Sequence, residues 1–303
     1  RLGSETHEEM IREAMAGIDL RVYGALRRDA ALALPERHLG LTPVEEHAAA
    51  ETVCTVRARV EAGLDLDGIL ELAKSATPLS ITESRNAEKF VPVRIGVARD
   101  EAFSFYYAAS LAELEAHGAE IVAFSPLHDE ALPDVDGIII GGGFPEMFAE
   151  ALTANLSMRA SIHRAAEDGM PICAECGGYM YLMQSLVDFI GTEHEMVGIF
   201  PVRARMTEKL QMVGYVEAEQ MADTILGSAG LILHGHEFHF SVEETNDTAE
   251  LVRPFMFTKL RNGAQYVAGC IYKNVLGSYL HLHFAGCQAA AGYFVEACRR
   301  WGR

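Results

Sequence analysis

Positive charge is scarce in this chain. Its 303 residues carry 25 lysines and arginines against 43 aspartates and glutamates, a net charge of −18. That balance argues against nonspecific binding to nucleic acid, which needs a basic surface. It leaves small anionic substrates open, because a local pocket can oppose the global charge. No apolar run reaches membrane-spanning length, and the first residues lack the pattern of a signal peptide. The six cysteines form no repeated C-x-x-C pattern, which fits a reducing cytosol better than a disulfide scaffold. Cys173 and Cys176 make one such pair, weak evidence for zinc or redox chemistry. A cytoplasmic protein without membrane contact is the expectation.

A phosphate cradle is also missing. Gly68-Ile69-Leu70-Glu71-Leu72-Ala73-Lys74-Ser75 nearly spells a P-loop, with alanine in place of the second glycine. A P-loop needs a glycine turn after a strand, whereas this segment has helical periodicity and no strand before it. The zincin pattern is absent too. In His236-Glu237-Phe238-His239 the histidines are three apart, in a segment that reads as a strand, so packing and substrate contact are favoured over metal.

What is present is an α/β pattern. An opening helix over about 6–16 precedes a strand over Leu20–Leu26, which reads as the tail of an α/β domain and suggests a piece of a longer protein. A basic loop over Leu34–Leu41 follows, then a helix start at Thr42-Pro43-Val44-Glu45 and helices to about Ala62 and over 64–76. Polar, unpatterned residues from Thr77 to Phe90 read as an interdomain linker. Strands are expected over 93–98, 120–124, 135–140 and 169–174, and helices over 103–116, 157–168 and 179–186, in one open, mainly parallel sheet. Ligands in such sheets bind at the carboxyl ends of strands.

Two glycine loops fall at such ends. Gly141-Gly142-Gly143 follows an apolar run, and Glu175-Cys176-Gly177-Gly178 joins a strand to a helix. A nucleophile between a strand end and a helix start is a nucleophile elbow. Cys176 is therefore the candidate nucleophile, with a thiol expected to be acidified by the helix start. The N–H groups of Gly142, Gly143 and Gly177 are candidate oxyanion donors. Over Ser278–Phe284, strand alternation would put Tyr279, His281 and His283 on one face, and one histidine becomes a candidate base.

These segments resemble the cobyrinic acid a,c-diamide synthase family. The resemblance rests on Val97–Tyr107, Phe124–Leu127, Gly141–Glu146, Ala174–Gly178, Gly235–His239 and Ser278–Phe284, and more loosely on Arg1–Ser4 and Leu34–Leu41. It implies residues 1–80 as the C-terminal part of a dethiobiotin-synthetase-like ATP domain, a fragment of a P-loop-type α/β domain. It implies 81–90 as linker and 91–303 as a class I glutamine amidotransferase domain of flavodoxin-like fold. It further implies that Cys176 attacks glutamine, that His281 raises its nucleophilicity, and that His283, His236 and Glu237 are accessory. Many class I amidotransferases carry a glutamate two residues after the histidine; here that position is His283, which implies a dyad. The implied reaction is ATP- and magnesium-dependent amidation of the a and c acetates of a corrin-type tetrapyrrole in cobalamin biosynthesis. This chain would carry the glutaminase half, with neither metal nor ATP site evident in it. A homodimer is compatible with this reading. Related amidases acting on hydrogenobyrinic acid or nickel-sirohydrochlorin share the motifs, and a non-catalytic amidotransferase-like scaffold or a cysteine hydrolase are rival readings.

Overall fold

Ile138, Ile139 and Ile140 are all buried, as a strand must be when both faces of its sheet are covered. The computed structural model describes residues 2–32, 49–79, 92–245 and 251–302. The chain forms two compact units, Arg1–Arg85 and Asn86–Arg303.

The first unit contains helices Glu5–Ala16, Ala49–Gly63 and Leu66–Lys74. Ser4 caps the first by accepting from the His7 N–H, and Asp65 caps the third by accepting from the Gly68 N–H at 2.9 Å. The segment that nearly spells a P-loop is thus helical, and Lys74 is paired with Glu71 at 2.7 Å. Leu20–Leu26 does not form the expected strand. It makes only isolated bridges, Gly24 to Leu64 and, just beyond, Arg27 to Leu2. Its carbonyls are taken instead by single N–H groups, Tyr23 by Asp65 and Leu26 by Leu2. Among the described residues no neighbouring strand completes a ladder with it. The Leu34–Leu41 loop, the Thr42–Glu45 helix start and the 81–90 linker lie outside the described residues.

The second unit is built on a six-stranded sheet in the order Cys270–Tyr272, Val275–Ser278, Ile172–Glu175, Gly137–Ile140, Val93–Ala98, Ala119–Phe124. All neighbours are parallel except the first pair, a hairpin. Numbered along the chain, the five parallel strands run 2-1-3-4-5 across the sheet, the flavodoxin-like order. Helices Ala108–Ala116 and Gln288–Trp301 pack with Leu114, Phe294 and Val295 on one face, while Leu152, Met158 and Ile162 from the helices before Ile172–Glu175 join the core of the other. Among the described residues no helix is long and apolar enough to cross a membrane.

The sequence led us to expect one sheet for the whole unit, but its strands are divided among several. A five-stranded antiparallel sheet runs Gln265–Ala268, Phe255–Lys259, Met212–Gln220, Ile232–His239, His281–Leu282, and a four-stranded one contains Met183–Val187 and Phe200–Met206. The expected helix over 103–116 begins only at Ala108; Phe103–Phe105 is a strand paired antiparallel with Gly142–Gly143. The expected helix over 179–186 is Gly177–Leu182, after which Met183–Val187 is a strand beside Phe200–Met206. A short apolar run reads equally as buried helix or buried strand, and here tertiary pairing decides.

Candidate active site

Ile172–Glu175 is flanked on both sides, Ile140 facing Ala174 and Ser278 facing Glu175. At the next residue the chain turns sharply. Cys176 has φ 47° and ψ −103°, a conformation that side-chain-bearing residues adopt rarely and at a cost of order 1–3 kcal/mol. Two bonds hold it there: its N–H donates to the Ser278 carbonyl at 2.8 Å, and its carbonyl accepts from Met180 N–H at 3.0 Å. The helix that follows is packed so closely on the glycine loop that side chains do not fit. A Cβ at Gly178 would collide with the Ile140 carbonyl oxygen, and one at Gly177 would lie 3.0 Å from the Gly143 nitrogen. The structure thus places Gly143 and Gly177 together beside Cys176. Gly142 lies against His281, where a Cβ would be 2.6 Å from the imidazole Cε1.

Cys176 is 8% exposed, and its thiol donates to the Phe238 carbonyl at 3.8 Å rather than to an imidazole. Burial first, and then the Glu146 carboxylate, pushes the thiol up to about 12; the Gly177 N–H acts in the opposite sense. This differs from the acidic thiol expected at a helix start. A six-residue helix offers little field, and desolvation of the charged form outweighs it.

His281 is also 8% exposed, and burial lowers its pKa to about 3, with His236 and His239 adding to the effect. It belongs to the two-residue strand His281–Leu282, in which it faces His236 across an antiparallel pair. The two rings are stacked, 4.9 Å between centroids and 14° between planes. Leu282 N–H donates to Glu175 Oε1 at 3.3 Å, which ties this strand to the residue preceding Cys176. Burial raises the Glu175 carboxyl to about 8.

His283 does not share the face of His281. The expected strand over 278–284 is broken: Val275–Ser278 belongs to the parallel sheet, His281–Leu282 to the antiparallel one, and Phe284–Gly286 is a 3-10 turn. His283 is exposed, accepts from the Gly286 N–H at 3.2 Å, and packs edge-on against Tyr107. Alternation cannot survive a chain that changes sheets within seven residues.

Glu237 is 3% exposed and accepts a hydrogen bond from the Tyr266 hydroxyl; His239 Nε2 lies 4.0 Å away. His239 stacks on Tyr279 at 3.9 Å between centroids and reaches the Ser241 carbonyl through Nδ1 at 2.8 Å, a partner that fixes the proton on that nitrogen. Among the described residues no group of three His, Cys, Asp or Glu side chains is placed to hold a metal ion. Sequence reasoning missed several parts of this site. Tyr106 fixes the glycine loop, accepting from the Gly141 N–H at 2.8 Å and donating to the Ala98 carbonyl. Phe238 contributes a carbonyl, which no sequence pattern reveals.

Residues 94–289 match the family described as the CobB/CobQ-like glutamine amidotransferase domain. The cobyrinate a,c-diamide synthase of Listeria innocua is 43% identical over 290 residues, covering 94% of this chain and 63% of its own length. That of Dehalococcoides mccartyi strain CBDB1 is 43% identical over 311 residues, covering 97% of this chain and 65% of its own length. The chain therefore spans somewhat less than two thirds of these relatives. Among solved structures, that of PurLQS from Thermotoga maritima aligns with a TM-score of 0.50 at 18% identity, over 70% of this chain and all of that one, a likeness of fold alone. The chain belongs to the family of CobB/CobQ-like glutamine amidotransferase domains.

Proposed function

We propose that the second unit hydrolyses glutamine at Cys176 and supplies the ammonia to an acceptor carboxylate. The observation that carries this reading is the Cys176 turn, held at φ 47° between strand Ile172–Glu175 and helix Gly177–Leu182 beside the Gly143 loop. A strained turn of this kind presents a nucleophile with N–H groups around it. Glutamine entering the site exchanges the thiol's hydrogen bond to Phe238 for one to His281. His281 takes the proton as Sγ attacks the amide carbon, and the oxyanion forms against the N–H groups of Gly143 and Gly177. The C–N bond breaks, the imidazolium returns its proton to nitrogen, and ammonia leaves. Water gives a proton to His281 and attacks the thioester; the C–S bond breaks, Cys176 regains its proton, and glutamate departs.

The names of the relatives support a more specific proposal, in which the parent protein amidates the a and c acetates of cobyrinic acid with ATP and magnesium. The described residues of the first unit do not fit a nucleotide phosphate: the one candidate cradle is a helix with its lysine paired to Glu71.

The test is ammonia release from glutamine by the full-length protein and its Cys176→Ala variant. Loss of at least about a thousandfold is expected, the order seen when a nucleophile is removed. Undiminished release by the variant would refute the assignment. A panel of cobyrinic acid, hydrogenobyrinic acid and nickel-sirohydrochlorin, each with ATP, then identifies the acceptor.

A further inference from the structure

A catalytic imidazole is usually oriented by an acceptor on its far nitrogen, most often a carboxylate. His281 has none: among the described residues neither ring nitrogen is hydrogen-bonded, and His283, at the position where many class I enzymes carry glutamate, is turned outward against Tyr107. Backbone tethering is also slight, because His281 lies in a strand two residues long. What defines the ring plane is packing. One edge abuts Gly142, and the flat face is covered by His236, its cross-strand partner. His236 is itself backed by Tyr215, 6.2 Å away and edge-on. Tyr215 is 70% exposed on the outer face of the antiparallel sheet, so a row of three rings leads from solvent to His281.

We infer that His236 is the positioning residue for His281, holding its ring plane by stacking and excluding water from its face in place of the missing carboxylate. The role requires a flat ring and does not require a titrating nitrogen. The groups facing His236 are Tyr215 on the neighbouring strand and His281 on the other side; Glu237 points to the opposite face of its strand, towards Tyr266.

This inference rests on the proposed role of His281, and the experiment separates the two. Glutamine hydrolysis by the full-length protein is measured from pH 5 to 9 for His281→Ala, His236→Ala, His236→Leu and His236→Phe, with near-ultraviolet circular dichroism as a check of folding. His281→Ala should abolish turnover; if it does not, the assignment of the base fails and the inference falls with it. His236→Ala should lower kcat by about 10- to 100-fold, the loss expected when a catalytic group is misplaced by about an ångström, with KM changed much less. Its acid limb should also move to higher pH, because water reaching His281 brings the imidazole back towards its ordinary value. His236→Phe should recover activity to within about threefold and restore the acid limb. His236→Leu, which fills the volume without a flat ring, should stay impaired and gives the reading should the alanine variant not fold. Unchanged kcat and acid limb in His236→Ala or His236→Leu, or a His236→Phe enzyme as impaired as either, would overturn the inference.

Discussion

Gly178 shows how little freedom the turn at Cys176 has. A methyl group there collides with the Ile140 carbonyl, a backbone atom that cannot rotate away. Gly178→Ala should therefore both lower the melting temperature and abolish glutamine hydrolysis, whereas a surface glycine with open space, such as Gly191, should accept alanine less harmfully, limited by its own positive φ. The protonation of the thiol supplies a second prediction. With the folded-state thiol pushed up to about 12, alkylation of the Cys176 peptide by iodoacetamide, followed by mass spectrometry, should be slow at pH 7 and keep rising through pH 10. A plateau below pH 7 would mean that a thiolate–imidazolium pair is already formed at rest. Cys176 could be singled out in the sequence because a cysteine that only packs has no special use in a glycine turn. Its charge state could not, since that depends on the burial of the sulfur and on groups distant in sequence, such as the Phe238 carbonyl and the Glu146 carboxylate.

The strand Gly137–Ile140 was legible for a physical reason: a strand buried on both faces must be a continuous apolar run, and here glycines end it. The same reasoning overextended the helix after Gly177, because Met183–Val187 is equally apolar and takes its form from pairing with Phe200–Met206. The Ser278–Phe284 segment was misread because it serves two sheets. The short helix Gly177–Leu182 is buried at every residue, so its packing is testable without touching the turn. Leu182→Ala, at a site with no exposure, should cost about 2–5 kcal/mol in urea unfolding, well above the cost at an exposed helix position such as Leu70. A loss below about 1 kcal/mol would show that the helix end is loosely packed.

Every residue of the candidate site lies in the unit Asn86–Arg303, which has its own cores on both faces of its sheet. A chain of residues 86–303 should then give the same pH profile of Cys176 alkylation as the 303-residue chain; a shifted profile would show that residues 1–85 shape the site. The stability of this unit should also depend on Glu175. Its folded pKa, about 8, lies above the ordinary 4.5, so the folded state holds the proton more tightly. Its contribution is full below pH 4.5 and is lost as pH rises through 8. Glu175→Gln should flatten the fall in melting temperature across that window. A mainly parallel α/β sheet was visible in the alternation of strands and helices, and its flavodoxin-like fold was implied by the resemblance; the antiparallel sheets were not visible, since their short strands carry no signal of which partner each will take.

The parallel strand Val275–Ser278 that completes the sheet beside Cys176 has a further consequence, for the growing polypeptide. Cys176 and His281 are 105 positions apart, so at about 5–20 residues per second the ribosome makes the first roughly 5 to 20 s before the second. During that interval Ile172–Glu175 lacks the neighbour on one side that it has in the finished protein, an open apolar edge of the kind that invites pairing with other chains. Nascent protein should therefore be most prone to aggregate, and most dependent on chaperones, in the seconds before residue 278 emerges. No glutamine should be wasted in that time, because the nucleophile exists before its base does.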